Sequence, residues 1–288
     1  MSETEQAGSP RSIEDVEASV QRSLARRESR ARISAVIAPT CVVVGLLAIW
    51  EAATRAFDVP AFLLPAPSAV LGSMRANAGL LLGNGWVTAV EILLGFLLSI
   101  VVGIPLALAI FLWPPFARSV LPLLVSSQAM PKVAVAPLLL VWFGFGYLPK
   151  VLIAFLIAFF PVVINTAVGL AAIEPEKIYL ARSMGFGAVD TFFKIRLPTA
   201  LPAIFGGLKI SITLAVVGAV VGEFVGGDAG LGYLLMVANG SMDTQLLFAG
   251  IVGLTILGVA FYLLVEFAER LAVPPHATPA GVRARESM

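Results

Sequence analysis

Residues 174–198 read EPEKIYLARSMGFGAVDTFFKIRLP, and the fold turns on how they are read. Long apolar segments lie on both sides, yet this stretch carries Glu174, Glu176, Lys177, Arg182, Asp190, Lys194 and Arg196. Glu174-Pro175-Glu176 is a helix start, because proline suits the first turn and acids favour the positive helix end. Gly185 fits a helix stop, where a left-handed residue is often required. After it, Phe186, Val189, Phe193 and Leu197 fall on one face of a second helix. Asp190 and Lys194 pair four residues apart on the other face, and Pro198 ends the helix. The spacing predicts two short helices at an angle, exposing Phe192 and Phe193. The same geometry also suits an amphipathic helix resting at a lipid interface.

The surrounding chain is built for a bilayer. It has 288 residues, 59% hydrophobic and 13% charged, with mean hydropathy +0.95. A soluble domain carries about 25% charge, so half of the usual solvating surface is missing. A net charge of +1 provides no basic field for nucleic acid. Cys41 is the only cysteine and lies in an apolar run, so it is expected to be a buried thiol with no disulfide partner in the chain. His276, the single histidine, cannot assemble a metal site alone. The first 32 residues are polar and lack the apolar core of a signal sequence.

A membrane span needs about 20 mostly apolar residues. On that measure the sequence predicts an all-α protein with six spans near 33–57, 86–113, 119–141, 148–171, 201–226 and 246–270. Residues 1–32 and 272–288 are left as tails. Pro131 and Pro137 interrupt the third span, and Gly144, Gly146 and Pro149 mark the bend after it. Orientation follows from lysine and arginine in the short connections. Arg22, Arg26, Arg27, Arg30 and Arg32 share one side with Arg118, Lys177, Arg182, Lys194, Arg196, Arg270, Arg283 and Arg285. The other side receives Arg55, Arg75 and Lys150. Both termini and residues 174–198 are therefore expected in the cytoplasm of a bacterial cell, with the protein multi-pass in its inner membrane.

Within that frame the stretch resembles the signature loop of importer-type ABC permeases, in which Glu-Ala-Ala is followed by three residues, glycine, nine residues and Ile-x-Leu-Pro. Here Tyr179-Leu180-Ala181 holds the first places, then Arg182-Ser183-Met184, Gly185, nine residues, and Ile195-Arg196-Leu197-Pro198. Of the opening triplet only Ala181 matches, and Glu176 is the acid available to stand in for the missing glutamate. Leu64-Pro65-Ala66-Pro67, Pro131-Lys132-Val133-Ala134, Trp142-Phe143-Gly144, Phe159-Phe160-Pro161, Leu201-Pro202 and Gly230-Leu231-Gly232 are similar to the nitrate/sulfonate/taurine-type branch. Gly218 to Phe224 lean toward branches for pyrimidine vitamin precursors or aromatic carboxylates. Sulfonate-type members commonly carry a base in the second helix, where this chain has Glu91.

The resemblance implies a MetI-like permease fold whose two-helix loop couples to a separate ATPase subunit. The coupling residues would be Glu176, Tyr179, Ala181, Arg182, Gly185, Phe192, Phe193, Ile195, Leu197 and Pro198. It also implies a second permease copy, most simply a homodimer, and an external solute-binding protein that delivers a small polar or anionic solute. ATP and Mg would be bound by the ATPase partner, because this sequence contains no G-x-x-x-x-G-K-[ST] phosphate loop. No nucleophile, base and metal constellation argues for an enzyme. A secondary transporter or channel would show paired inverted halves and ion-coupling charges. No repeat of that kind is visible, and Glu91, Lys132, Lys209 and Glu223 are the main ionisable residues available for it.

Candidate path residues follow from broken helices, since backbone freed at membrane depth survives only when buried or facing a cavity. Gln128 and Lys132 in the proline-broken third span meet that condition, with Asn165 and Thr166 on the next helix. Glu91 and Glu223 stand toward the outer ends of the second and fifth spans. The alternatives are polar residues that hold membrane helices together and charges that snorkel to the headgroups or pair internally.

Overall fold

The computed structural model describes residues 40–273, and every regular element among them is a helix. The expected tails, with their arginines and His276, lie outside these residues, apart from Ala272 and Val273. Of the described residues, those up to Ala52 belong to one unit and those from Ala53 to Val273 to a second. Helix α1 covers residues 40–56, and the expected start of the first span at 33 lies outside the described residues. Cys41 is exposed on α1. That corrects the expected burial: Cys41 projects from α1 beside Val42, Val43 and Val44, which are exposed as well.

The second unit runs α2 (Pro67–Ala76), α3 (Ala78–Leu112), α4 (Pro114–Ser127), a 3-10 turn (Lys132–Val135), α5 (Ala136–Phe143) and α6 (Tyr147–Ala171). It continues through α7 (Pro175–Ser183), α8 (Ala188–Thr191), a π-turn (Phe192–Arg196), α9 (Leu197–Gly226), α10 (Leu231–Gly240) and α11 (Thr244–Ala272). Among the described residues, four helices are long and apolar enough to cross a membrane: α3, α6, α11 and the continuous rod Ala188–Gly226. A further span is broken, its halves Pro114–Ser127 and Lys132–Phe143 meeting at 84°.

Three expectations need correction. The third span is not one helix, because Pro131 precedes the 3-10 turn and Pro137 occupies the first turn of α5, and proline cannot continue a helical hydrogen-bond ladder. Pro198 does not end a helix. Leu197 N–H reaches back five residues to Phe192 O, and this shift in register lets the helix pass a residue that has no N–H. The α2 and α10 helices were not expected, since neither reaches span length.

The second unit is organised around α3, α6 and α9. Its apolar centre includes Ile92, Phe96, Ala158, Val162, Ile212 and Ala215. Glycines let these helices touch at backbone distance. A β-carbon at Gly95 would lie 2.5 Å from Ala154 Cβ, and one at Gly218 would lie 2.5 Å from Ala154 Cα. Ala154 of α6 is thus gripped from two sides, a small-residue contact that substitutes close packing for the hydrophobic drive lipid cannot supply. Ser211 Oγ donates to Ala158 O at 2.8 Å within the same seam.

Candidate functional site

Residues 174–198 form a lever. α7 closes with two bonds from beyond its end: Phe186 N–H to Ala181 O and Gly185 N–H to Arg182 O, both 3.0 Å. Gly185 has φ 83°, the left-handed conformation this helix ending requires. A β-carbon there would meet nothing within 4 Å, so backbone conformation alone demands glycine. Glu176 lies in the exposed first turn of α7, Ala181 is buried and Arg182 is exposed. Tyr179, Val189 and Phe193 project outward at 67%, 70% and 61% exposure. Phe192 does not project as expected: it is half-buried and packs with Leu197 against the core, while meeting Phe193 edge to face at 5.1 Å.

The lever is firmly rooted. Lys194 Nζ lies 2.6 Å from Asp190 Oδ1. Arg196 donates to Leu170 O at 3.2 Å, capping the end of α6, and its guanidinium stands 5.0 Å from the Phe111 ring of α3. Ile195 and Pro198 are half-buried at the root. Between α3 and the lever lies a groove of about 600 Å³, whose lining includes Leu108, Phe111, Ile178, Arg182 and Phe186.

The candidate path residues divide. Gln128 is exposed at the break after α4, and Lys132 is half-buried at the start of the 3-10 turn. Among the described residues Lys132 has no ion-pair partner. Asn165 instead lies where α6 meets α9, and Thr166 is buried beside it on α6. Asn165 donates back to Pro161 O at 2.9 Å, and a β-carbon at Gly207 would stand 2.6 Å from Asn165 Cβ. Thr166 is 1% exposed, and its hydroxyl has no hydrogen-bond partner among the described residues.

Glu91 and Glu223 are buried among the described residues. Glu91, Lys150 and Glu223 are 0%, 2% and 1% exposed. Lys150 Nζ lies 3.0 Å from Glu91 Oε1, at ion-pair distance but without hydrogen-bond geometry. Lys150, which the charge count assigns to the outer side, is buried in the first turn of α6. Glu223 Oε1 accepts from Thr88 Oγ1 at 2.6 Å, and Glu223 Oε2 accepts from Gly232 N–H. The only sequence signal for this cluster was the presence of three charges in apolar helices.

Several helices long and apolar enough to cross a membrane, one further span being broken, define a polytopic helical membrane protein. The chain matches, over residues 77–274, the family described as "Binding-protein-dependent transport system inner membrane component". It belongs to this family of ABC importer permeases, a multi-pass membrane protein class. The riboflavin transport system permease protein RibX of Chloroflexus aurantiacus is 40% identical over 232 residues, covering 79% of this chain and 86% of that protein. The formylaminopyrimidine transport permease ThiX of Halalkalibacterium halodurans is 35% identical, covering 82% and 94%. A putative aliphatic sulfonates permease, SsuC of Bacillus subtilis, is 32% identical, covering 78% and 82%. A chain of the methionine ABC transporter MetNI, solved in inward-facing conformations, superposes with TM-score 0.60 at 19% identity, covering 68% of this chain and 98% of that one. That match shows the fold.

Proposed function

We propose that this chain is the membrane-spanning subunit of an ATP-driven importer, with residues 174–198 contacting a separate cytoplasmic ATPase. The observation that carries this reading is the mounting of the lever. Exposed Tyr179 stands on α7, and exposed Val189 and Phe193 stand at the start of the rod Ala188–Gly226, which Arg196 pins to α3 and α6. Aromatic anchors on a rigid support are what a compact docking surface needs. Two copies of the chain form the path at their interface, and an external binding protein delivers the solute. ATP and Mg are handled by the ATPase subunit. The names of the relatives span riboflavin, a formylaminopyrimidine and sulfonates, a range that supports a small polar or anionic cargo.

Reconstitution tests the assignment. The purified chain alone is expected to hydrolyse no ATP, and uptake into vesicles is expected only with its ATPase and binding protein present. Cysteine at Ala188 should label only from the cytoplasm and cysteine at Ala229 only from outside. Sustained hydrolysis by the chain alone, uptake without ATP, or reversed labelling would each refute the reading. Uptake without ATP would favour a secondary transporter or channel.

Two substitutions probe its parts. Gly185→Val places a β-branched residue at positive φ, a strain of about 1–3 kcal/mol. Because Gly185 lies outside the packed core, the subunit should reach the membrane in normal amounts while ATP-driven uptake falls sharply, and Gly185→Asn should retain most of it. Wild-type uptake by the valine variant would show that the angle between α7 and α8 does not matter. Lys132→Met keeps the volume and removes the charge. If Lys132 lines the path beside Gln128, assembly and basal ATP hydrolysis remain while uptake drops, most for the most anionic solutes. An equal loss for neutral and anionic solutes would remove it from the path.

A further inference from the structure

At the end of the rod opposite the lever, α3, α6, α9 and α10 meet around the buried charges. The N–H groups that open a helix have no partner within it, and α10 obtains partners from two other helices. Gly230 N–H donates to Asn84 Oδ1 at 2.9 Å, Leu231 N–H to Thr88 Oγ1 at 2.8 Å, and Gly232 N–H to Glu223 Oε2. Asn84 and Thr88 belong to α3 and Glu223 to α9. The Glu223 carboxylate stands at the positive end of α10, where negative charge is favoured. It fills the space that side chains at Gly230 and Gly232 would need, since a β-carbon at either position would overlap it. Lys150 of α6 clasps the preceding turn through Asp228 Oδ1 at 3.3 Å and Ala229 O at 3.4 Å, while its ammonium faces Glu91 of α3.

We infer that Glu223, Thr88, Lys150 and Glu91 form the joint through which movement of the α8–α9 rod is passed to α10, so that α10 travels with the rod instead of swinging freely. The inference rests on the ATP-coupled reading above. Its mechanical basis is continuity. The second half of the lever, from Ala188, and Glu223 belong to one helix of 39 residues, about 58 Å long at 1.5 Å per residue. Gly95, Gly218 and Gly222 press α3 and α9 against the α6 backbone just below the cluster, which leaves little room for slip between rod and joint. Buried charges bind such a joint tightly because removing one strands the others away from water.

The test uses the permease assembled with its ATPase and binding protein in proteoliposomes, with Cys41→Ser and Leu234→Cys as background. Leu234 lies in α10 at 4% exposure, so its cysteine should react slowly with a membrane-impermeant maleimide. In Glu223→Gln, and in the charge-balanced double variant Glu91→Gln with Lys150→Met, labelling should quicken about tenfold and solute carried per ATP hydrolysed should fall about tenfold, because a buried polar joint has lost its partners. ATP hydrolysis itself and the amount of assembled complex should persist. Unchanged labelling and an unchanged transport ratio in the double variant would overturn the joint. Loss of assembly in both variants would assign the cluster to folding and overturn it equally. Failure of the wild-type complex to show ATP-dependent uptake would refute the coupling reading, whereas wild-type coupling with an indifferent double variant refutes the joint alone.

Discussion

Gly218→Leu is expected to eliminate most folded protein, while Gly206→Leu in the same helix leaves it intact. At Gly218 a β-carbon would lie 2.5 Å from Ala154 Cα, 3.1 Å from Ala154 N and 3.2 Å from Ile153 O. These are backbone atoms and cannot rotate away. The α6 helix cannot retreat either, because Gly95 of α3 holds Ala154 from another side. Overpacking a fitted core costs about 1–3 kcal/mol and more where no side chain can yield. Replacing a helical glycine returns only about 1 kcal/mol of propensity. A β-carbon at Gly206 meets nothing within 4 Å, so only the propensity gain remains there. Thermal unfolding of the detergent-solubilised variants, read by monodispersity, checks the pair. Equal stability would show that α6 and α9 do not approach at backbone distance.

The second large effect concerns docking. Phe193→Asp puts a charge on an exposed lever residue that contributes little to the fold, so the subunit should accumulate normally. Loss of an aromatic hot spot costs about 2 kcal/mol or more, and each 1.4 kcal/mol is about tenfold in affinity. Association with the ATPase subunit should weaken by roughly thirtyfold on that scale, measurable by co-purification and titration in detergent. If residues 174–198 merely rest at the lipid surface, the same variant leaves ATPase association unchanged. The half-buried Phe192 is the contrast: its substitution should reduce folded protein because it packs against the core.

Some features of the chain are written in short stretches of sequence and need no tertiary context. The long apolar runs set the spans, because a bilayer demands length and apolarity residue by residue. Gly185 marked a helix end because left-handed φ is a property of one residue's backbone. The Asp190–Lys194 pair follows from four-residue spacing on a single helix. In the other direction, Pro198 read locally as a stop, whereas its neighbours continue the helix through a π-turn. The ten-residue α10 fell below the length that signals a span, although its first N–H groups are held by side chains from α3 and α9.

What the tertiary structure alone decided is how the charges are paired. Counting lysines and arginines in connections places Lys150 on one side of a membrane without saying what it touches. Its partner Glu91 and the neighbouring Glu223 come from helices far apart in sequence, and only the packing of α3, α6 and α9 brings them together. Burial and partnership depend on atoms from several segments at once, so no local pattern encodes them. The long apolar spans and the Gly185 turn were determined by the sequence, since each depends on a residue and its near neighbours, whereas the burial of Phe192 was not. The buried cluster, the capping of α10 and the gripping of Ala154 were decided by three-dimensional packing, because each depends on surfaces that exist only once the helices have met.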